Sequence, residues 1–192
     1  EARSGKEIVR IKGQQNHVIR NVAFSPDGKR LVSTWDEKTL KMWDSESGQE
    51  LLTCAGHANA IASLAFSSDG KRLASEGAGA VKVWDAASGR ELFTFEGTNS
   101  GIAFSPDGGR LASASRNALK IWDVQNGKVL STLEGPIGFA GGCVAFSSDG
   151  KLLASARNLG RGPGGVGEVV VWNAQTGQQL LLGAYSALSW QV

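Results

Sequence analysis

The chain has 192 residues, enough for one large hydrophobic core or two small ones. Its 20 basic and 18 acidic residues leave a formal net charge of +2, so no strong field marks it for nucleic acid or for a membrane surface. No run approaches the roughly 18 continuous apolar residues of a membrane span, and the N-terminus lacks the apolar stretch of a signal peptide. These features argue against a nucleic-acid partner and against a membrane partner.

The first predicted element is a lone strand close to the N-terminus. The segment Glu1–Glu7 aligns with Asp85–Glu91, which follows a tryptophan farther along the chain. Residues 6–11 are therefore predicted to be the outer strand of a unit whose earlier strands do not appear.

One phrase then occurs four times. Its first copy, from Val22 to Ser33, reads VAFSPDGKRLVS, and later copies begin at Leu64, Ile102 and Val144. The phenylalanines of the copies are 42, 38 and 42 residues apart. Each copy is followed by a Trp-Asp or Trp-Asn pair, at Trp43, Trp84, Trp122 and Trp172. Internal repetition at this period decides the fold before any single motif does.

Each repeat predicts four short antiparallel strands. Its apolar runs of four to six residues are too short for helices and are bounded by turn residues. In the Ser-Pro-Asp-Gly turn, Pro supplies φ near −65° and Gly supplies φ > 0. The Phe lies on the first strand, the Leu-Ala-Ser on the second and the Trp on the third, and the fourth follows a Gly turn. One such sheet cannot bury both of its faces, so the units must stack.

A period near 40 residues with a Trp-Asp pair closing the third strand resembles the WD40 repeat family, over nearly the whole chain. The resemblance implies an all-β fold, a β-propeller or partial propeller of four-stranded blades around a central channel, and it implies no enzyme activity. The predicted boundaries are 14–55 for blade 1, 56–96 for blade 2, 97–134 for blade 3 and 135–183 for blade 4. The flanking segments are 1–13, the outer strand of an incomplete blade, and 184–192, the first strand of another.

Three interpretations of the incomplete blades stay open. The chain, which does not begin with Met, is a piece of a longer propeller; or it closes a larger ring with partner copies as a homo-oligomer; or it forms a small ring with an irregular closing blade. An open arc would expose strand edges and apolar faces that favour association.

The four units also differ in an ordered way. The turn between the first and second strands and the turn after the Trp barely change, and strand alternation places both on one face, here called the regular face. The other two connections lie on the opposite, irregular face and vary in length and chemistry. This variation predicts a scaffold that carries a recognition surface, with drift without function as the alternative.

Five residues of the irregular face are candidates for partner contact, because aromatic and Arg side chains often anchor interfaces. They are Trp35, Arg116, Phe139, Arg157 and Arg161. For Trp35, packing against a neighbouring blade is an alternative to exposure. Arg157 and Arg161 flank a glycine-rich loop and suit an acidic or phosphorylated partner, although a solvated loop is the simpler interpretation.

The family often has a structural hydrogen-bond set of a Gly-His histidine, a second-strand Ser, the Trp and a loop Asp. Only the second unit has the histidine, His57, with Ser75 and Trp84 beside it. Its loop Asp is missing, because Glu76-Gly77-Ala78-Gly79 stands there. We predict structural roles for His57, Ser75 and the four repeat tryptophans, in an incomplete network that leaves the fold only modestly stable.

No catalytic residue or metal ligand is predicted. Two histidines and two scattered cysteines give no metal-ligand spacing, and the turn aspartates lie on separate blades, so no acid–base pair can be assigned. The stretch Gly160–Gly167 lacks the Lys-Ser/Thr of a phosphate-binding loop. We therefore expect no enzyme activity and no cofactor.

Cys54 and Cys143 each lie in an apolar run, which predicts two buried free thiols rather than a disulfide. Free thiols favour a reducing compartment, and we expect a cytoplasmic protein. The predicted function is a scaffold that binds a protein or peptide through the irregular face. The alternative is a regulatory or sensory segment of a larger enzyme, such as a bacterial kinase or protease-like protein, which a catalytic domain in the flanking sequence would support.

Overall fold

A computed structural model describes residues 7–11, 19–77, 79–98, 101–115, 118–134, 143–158 and 166–186, and every regular element within them is a strand. The first sheet contains β1 (Val22–Phe24), β2 (Arg30–Thr34), β3 (Thr39–Asp44) and β4 (Glu50–Ala55). The second contains β5 (Ile61–Phe66), β6 (Arg72–Gly77), β7 (Gly79–Asp85) and β8 (Glu91–Thr98). The third contains β9 (Ile102–Phe104), β10 (Arg110–Ala114), β11 (Ala118–Asp123) and β12 (Val129–Glu134). The fourth contains β13 (Val144–Phe146), β14 (Leu152–Asn158), β15 (Val166–Asn173) and β16 (Gln179–Ser186).

In each sheet the four strands are antiparallel and follow chain order. The first strands of neighbouring sheets lie against one another, β1 against β5, β5 against β9 and β9 against β13. The sheets are therefore arranged as successive blades with their first strands innermost. This confirms the predicted all-β fold of four-stranded antiparallel blades. The described residues contain no helix that could cross a membrane.

The strand ends differ slightly from the predicted blade boundaries. Pairing with β7 carries β8 to Thr98, and pairing with β15 carries β16 to Ser186, whereas the sequence placed these boundaries at 96 and 183. Residues 7–11 belong to none of the sheets, but they pack on the first one. A Cβ added at Gly48 would lie 2.7 Å from Cγ2 of Val9. The last predicted strand, in 184–192, lies mostly outside the described residues.

The turn between the first and second strands satisfies its own polar groups. The hydroxyl of Ser25 donates to Oδ1 of Asp27 and accepts from the amide of Arg30, and that carboxylate also accepts from the amide of Lys29. Gly28 completes the turn with φ of 71°. The corresponding Ser67, Ser105 and Ser147 make the same two bonds. This repetition explains why the Ser-x-Asp-Gly phrase hardly varies.

The hydrophobic core lies between the sheets rather than within them. We call the side of a sheet that packs on the next sheet its forward face, and the opposite side its rear face. Val32, Leu40 and Met42 on the forward face of the first sheet meet Leu73 and Trp84 on the rear face of the second. The same arrangement recurs at the next two junctions. Each sheet therefore depends on its neighbours for the burial of its apolar side chains.

An arginine at the start of the second strand joins neighbouring sheets. Arg30 Nη2 donates to the carbonyl of Gly70 at 2.7 Å, and its Nη1 donates to that of Ala86 at 2.8 Å. The same guanidinium lies 5.9 Å from the centre of the Phe66 ring. Arg110 repeats the arrangement at the junction of the third and fourth sheets, with a bond to Gly150 and the guanidinium 5.4 Å from the Phe146 ring. These bonds tie one sheet to the regular-face turn of the next.

One cysteine prediction was wrong. Cys54 is buried at the first junction, and burial raises the pKa of its thiol to about 11. Cys143 is exposed instead. It immediately precedes β13, where its carbonyl accepts from Ala156 while its side chain faces solvent. The apolar run around it indicated burial, but the run begins only one residue later.

The arginine junction can be tested by replacing Arg30 with Met, which keeps the aliphatic stem but removes the donors. The carbonyls of Gly70 and Ala86 then lose their partners in a half-buried setting. We expect Arg30→Met to lower the free energy of unfolding by about 1–3 kcal/mol, measured by chemical denaturation. The neighbouring exposed Lys29 is the control, and Lys29→Ala should change stability by less than about 0.5 kcal/mol. Equal effects would contradict a junction role for Arg30.

Candidate partner-binding face

The described part of the irregular face includes only some of the predicted contact residues. Arg116, Phe139 and Arg161 lie outside the described residues. Arg157 belongs to β14, where its backbone pairs with Glu168, and its side chain lies outside the description. Trp35 alone among the five has a described side chain.

Trp35 is packed inside the first blade. Its side chain is 7% exposed, and its ring centre lies 5.2 Å from that of Trp43. Lys41 Nζ lies over the Trp35 ring at 4.5 Å from its centre, a cation–π contact. The backbone amide donates to the carbonyl of Thr39 at 2.9 Å. Trp35 therefore offers little area to a partner and contributes mainly to the packing of the first sheet.

The second sheet fills the corresponding space with His57. Nε2 of His57 lies 2.6 Å from the hydroxyl of Ser75, which also accepts from Nε1 of Trp84 at 2.8 Å. Gly77 stands where the first sheet has Trp35, and a Cβ added there would lie 2.7 Å from Nδ1 of His57. A blade therefore has no room for both the histidine and a large side chain at the position of Gly77. The first sheet uses the tryptophan and the second uses the histidine.

The bond from the tryptophan to the second-strand serine is present in all four sheets. The donor–acceptor distances are 2.9 Å for Trp43 and Ser33, 2.8 Å for Trp84 and Ser75, 2.8 Å for Trp122 and Ser113, and 3.2 Å for Trp172 and Ser155. All four serines are buried. A buried hydroxyl that accepts from an indole satisfies both groups, so each blade carries this bond even where the wider set is incomplete.

Glu76 has a structural role that its position in the sequence did not predict. Its side chain is buried, and Oε2 accepts from the amide of Gly101 at 3.0 Å, which ties the second blade to the start of the third. Burial raises the pKa of this carboxyl, and the bond from Gly101 partly opposes that shift. The first sheet has Thr34 at this position, whose hydroxyl accepts from the amides of Arg20 and Asn21. The signal for this role was the lone acidic residue of β6, next to the buried Ser75.

The described loops of this face are held by hydrogen bonds yet present exposed side chains. Oδ1 of Asp36 accepts from the amides of Lys38 and Thr39, each at 2.7 Å. The carbonyl of Glu37 accepts from Ile61 of the second sheet at 2.8 Å. Glu37 and Lys38 are exposed. Among the described residues, no three His, Cys, Asp or Glu side chains are placed to hold a metal ion.

A family model for the WD40 repeat (WD domain, G-beta repeat) matches residues 5–44, 48–85 and 89–123, more than half of the chain. This chain belongs to the WD40 repeat family. The repeated Trp–Ser bonds and stacked sheets described above are thus features of a WD40 protein.

Known relatives match parts of this WD40 chain. Ribosome assembly protein 4 of Saccharomyces cerevisiae is 39% identical over 51 residues, 27% of this chain and 10% of that protein. The guanine nucleotide-binding protein subunit beta of Schizosaccharomyces pombe is 36% identical over 64 residues, 33% of this chain and 21% of that protein. A solved structure, that of U3-55K, superposes with a TM-score of 0.71 at 27% identity, covering 88% of this chain and 52% of that one.

The WD40 chain therefore spans about half of that solved structure and a small part of these curated relatives. None of the names describes a kinase or a protease, so the interpretation as a regulatory segment of an enzyme stays a prediction.

Replacement of Trp35 separates a packing role from a contact role. Trp35→Ala should lower the free energy of unfolding by about 3–5 kcal/mol, because it empties a large buried site. Lys38→Ala, an exposed change in the same loop, should alter it by less than about 0.5 kcal/mol. Chemical denaturation monitored by fluorescence gives both values. Unchanged stability in Trp35→Ala would contradict the packing role.

Acid titration tests the burial of His57. Burial, followed by the charge of Lys82, lowers the pKa of His57 from 6.5 to about 4. The unfolded chain takes up this proton near pH 6.5 while the folded chain resists it, so the free energy of unfolding should fall by up to about 3 kcal/mol between pH 7 and 4. Denaturation at a series of fixed pH values measures this dependence.

The variant His57→Asn is the control for the pH experiment. It should be less stable at pH 7 and should lack this part of the pH dependence. The titration of Glu76, whose raised pKa has the opposite effect on stability, is common to both proteins, so the difference between the two curves isolates His57. Parallel curves would show that the histidine is not protected from protonation.

Proposed function

We propose that this WD40 chain is a protein-interaction scaffold that binds a protein or peptide through its irregular face. WD40 repeats generally mediate protein–protein interactions, and relatives named for assembly, such as ribosome assembly protein 4 and a dynein assembly factor of Danio rerio, fit that class. The observation that carries the proposal is the contrast between the two faces of the blades.

The regular face has few polar groups left for a partner. Each Ser-x-Asp-Gly turn bonds its own hydroxyl, carboxylate and amides. The turn after each tryptophan does the same, since Oδ1 of Asp44 accepts from both the amide and the hydroxyl of Ser47. The pKa values of Asp27 and Asp44 are lowered mainly by these hydrogen bonds. Such turns repeat because they fold the hairpins, which leaves recognition to the other face.

The irregular face differs from blade to blade, and this variation supports recognition. The connection between the second and third strands consists of residues 35–38 in the first sheet, 78 in the second, 115–117 in the third and 159–165 in the fourth. The sequence predicts that three arginines, at 116, 157 and 161, belong to this face, and the segments 116–117 and 157–165 that carry them contain no acidic residue. Guanidinium groups form paired hydrogen bonds with carboxylates and phosphates. The proposed partner is therefore an acidic or phosphorylated segment of another protein.

A comparison of two triple variants tests which face binds. Peptides selected from a displayed library against the whole chain provide the ligands, and fluorescence anisotropy measures their Kd. Replacing Arg116, Arg157 and Arg161 with Ala should raise Kd at least about 10-fold for acidic peptides, with an unchanged circular dichroism spectrum. The matched control replaces three lysines of the regular face, Lys29, Lys71 and Lys151, and should leave Kd within about 2-fold.

Binding through the irregular face also predicts a dependence on salt, because an arginine–carboxylate interface weakens as screening increases. The proposal fails if the lysine variant loses as much affinity as the arginine variant. It also fails if neither variant changes Kd.

A further inference from the structure

The rear face of the first sheet is open. Val22 is 62% exposed, Phe24 is 63% exposed and Ile19 is 41% exposed. In the second sheet the corresponding Leu64 and Phe66 are partly buried at the junction, and Ile61 is 2% exposed. On the first sheet, Ile19, Val22 and Phe24 together with Ile8, Val9 and Ile11 line an apolar groove of about 460 Å³. All of its described lining residues belong to residues 7–11 and the first sheet or its approach.

The forward face of the fourth sheet is open as well. Val169 is 42% exposed, whereas its counterparts Leu40, Val81 and Leu119 in the other sheets are fully buried. Leu152, at the start of the second strand, is 38% exposed. The two open faces are thus of complementary kinds, one forward and one rear. Three junctions within the chain show how such faces pack together.

The two open faces also depart from the repeat pattern in matching ways. The second strand starts with arginine in the first three sheets, but the fourth has Leu152 there and so has no donor for the next sheet. In the first sheet the residue after the Trp-Asp pair is Ser45, where the others have buried Ala86, Val124 and Ala174.

The hydroxyl of Ser45 donates to the carbonyl of Gly28 at 2.7 Å. Gly70 and Gly150, the counterparts of Gly28, accept from an arginine of the preceding sheet. The first sheet therefore satisfies within itself the carbonyl that the fourth sheet, with its leucine, could not satisfy.

We propose that the forward face of the fourth sheet packs on the rear face of the first sheet of a second copy of this chain. In this head-to-tail contact Leu152 would cover Phe24, as Arg30 covers Phe66 within the chain, and Val169 would take the role of Leu40. The contact is heterologous, since different surfaces of the two copies meet, and it closes a ring if the rotation allows. It uses none of the proposed partner-binding residues.

Residues 7–11 set a limit on this association. Val9 lies against Gly48 in the place where Leu52 of one sheet lies against Gly89 of the next. In the proposed contact, β16 of the second copy would occupy the position beside Gly48 that Val9 occupies here. Association would therefore replace the contact of Val9 with Gly48 by a contact between the two copies. The inner part of the face, at Val22 and Phe24, needs no such exchange.

Sedimentation equilibrium of the full chain, at up to about 100 µM to reach weak affinities, tests the proposal. The wild-type chain should associate. Phe24→Asp and Leu152→Asp should each weaken association at least about 100-fold, because each buries an unpaired carboxylate in the contact. Leu130→Asp, an exposed position on the outer strand β12 (54% exposed), is the matched control and should associate like the wild type.

Mixing the two variants gives the decisive result. Phe24→Asp keeps an intact forward face and Leu152→Asp keeps an intact rear face, so together they should form a 1:1 dimer and nothing larger. A monomeric wild-type chain would overturn the proposal. So would self-association of Leu152→Asp that is as strong as that of the wild type, since the contact would then join two rear faces. Near-ultraviolet circular dichroism verifies that each variant is folded.

Discussion

The burial of two apolar faces on every four-stranded sheet is the constraint on which this structure depends. A sheet of four short strands cannot shield both sides, so each one is stable only between neighbours. Leu40, Leu73 and Trp84 are nearly or fully buried because they lie at a junction, not because of their own strand. Hydrogen bonds across the junctions, such as that from Arg30 to Gly70, then fix the register between sheets.

This constraint also explains why the four units are alike in some places and different in others. Residues that close a hairpin, such as Ser25 and Asp27, act within one sheet and recur in every copy. Residues that fill a space within a blade differ between copies when a second residue of the same blade differs with them. Trp35 replaces the pair of Gly77 and His57, because the same space admits either a large side chain from one loop or a histidine from another.

The sequence predicted the strands and their order well, because each turn is encoded by four or five adjacent residues. It predicted less about which side chains of the irregular face are buried and which are exposed. The burial of Trp35 depends on the space beside Trp43, and that of Glu76 on the amide of Gly101 in the next blade. Neither contact can be inferred from the spacing of these residues along the chain. The exposure of Cys143 likewise depends on where β13 begins, which a difference of one residue decides.

The differences among the four units of this chain are therefore of three kinds. A change such as Trp35 for His57 is compensated inside the blade and keeps the junction intact. A change confined to exposed loop residues, such as Lys38, leaves the fold untouched and is available for recognition. The third kind, at Ser45 and Leu152, falls on the two faces that no other sheet within the described residues covers. Leu152 lacks the donor that an arginine would supply to the next sheet, and Ser45 supplies a donor to Gly28 from within the first sheet. Only the third kind carries information about what lies next to the chain.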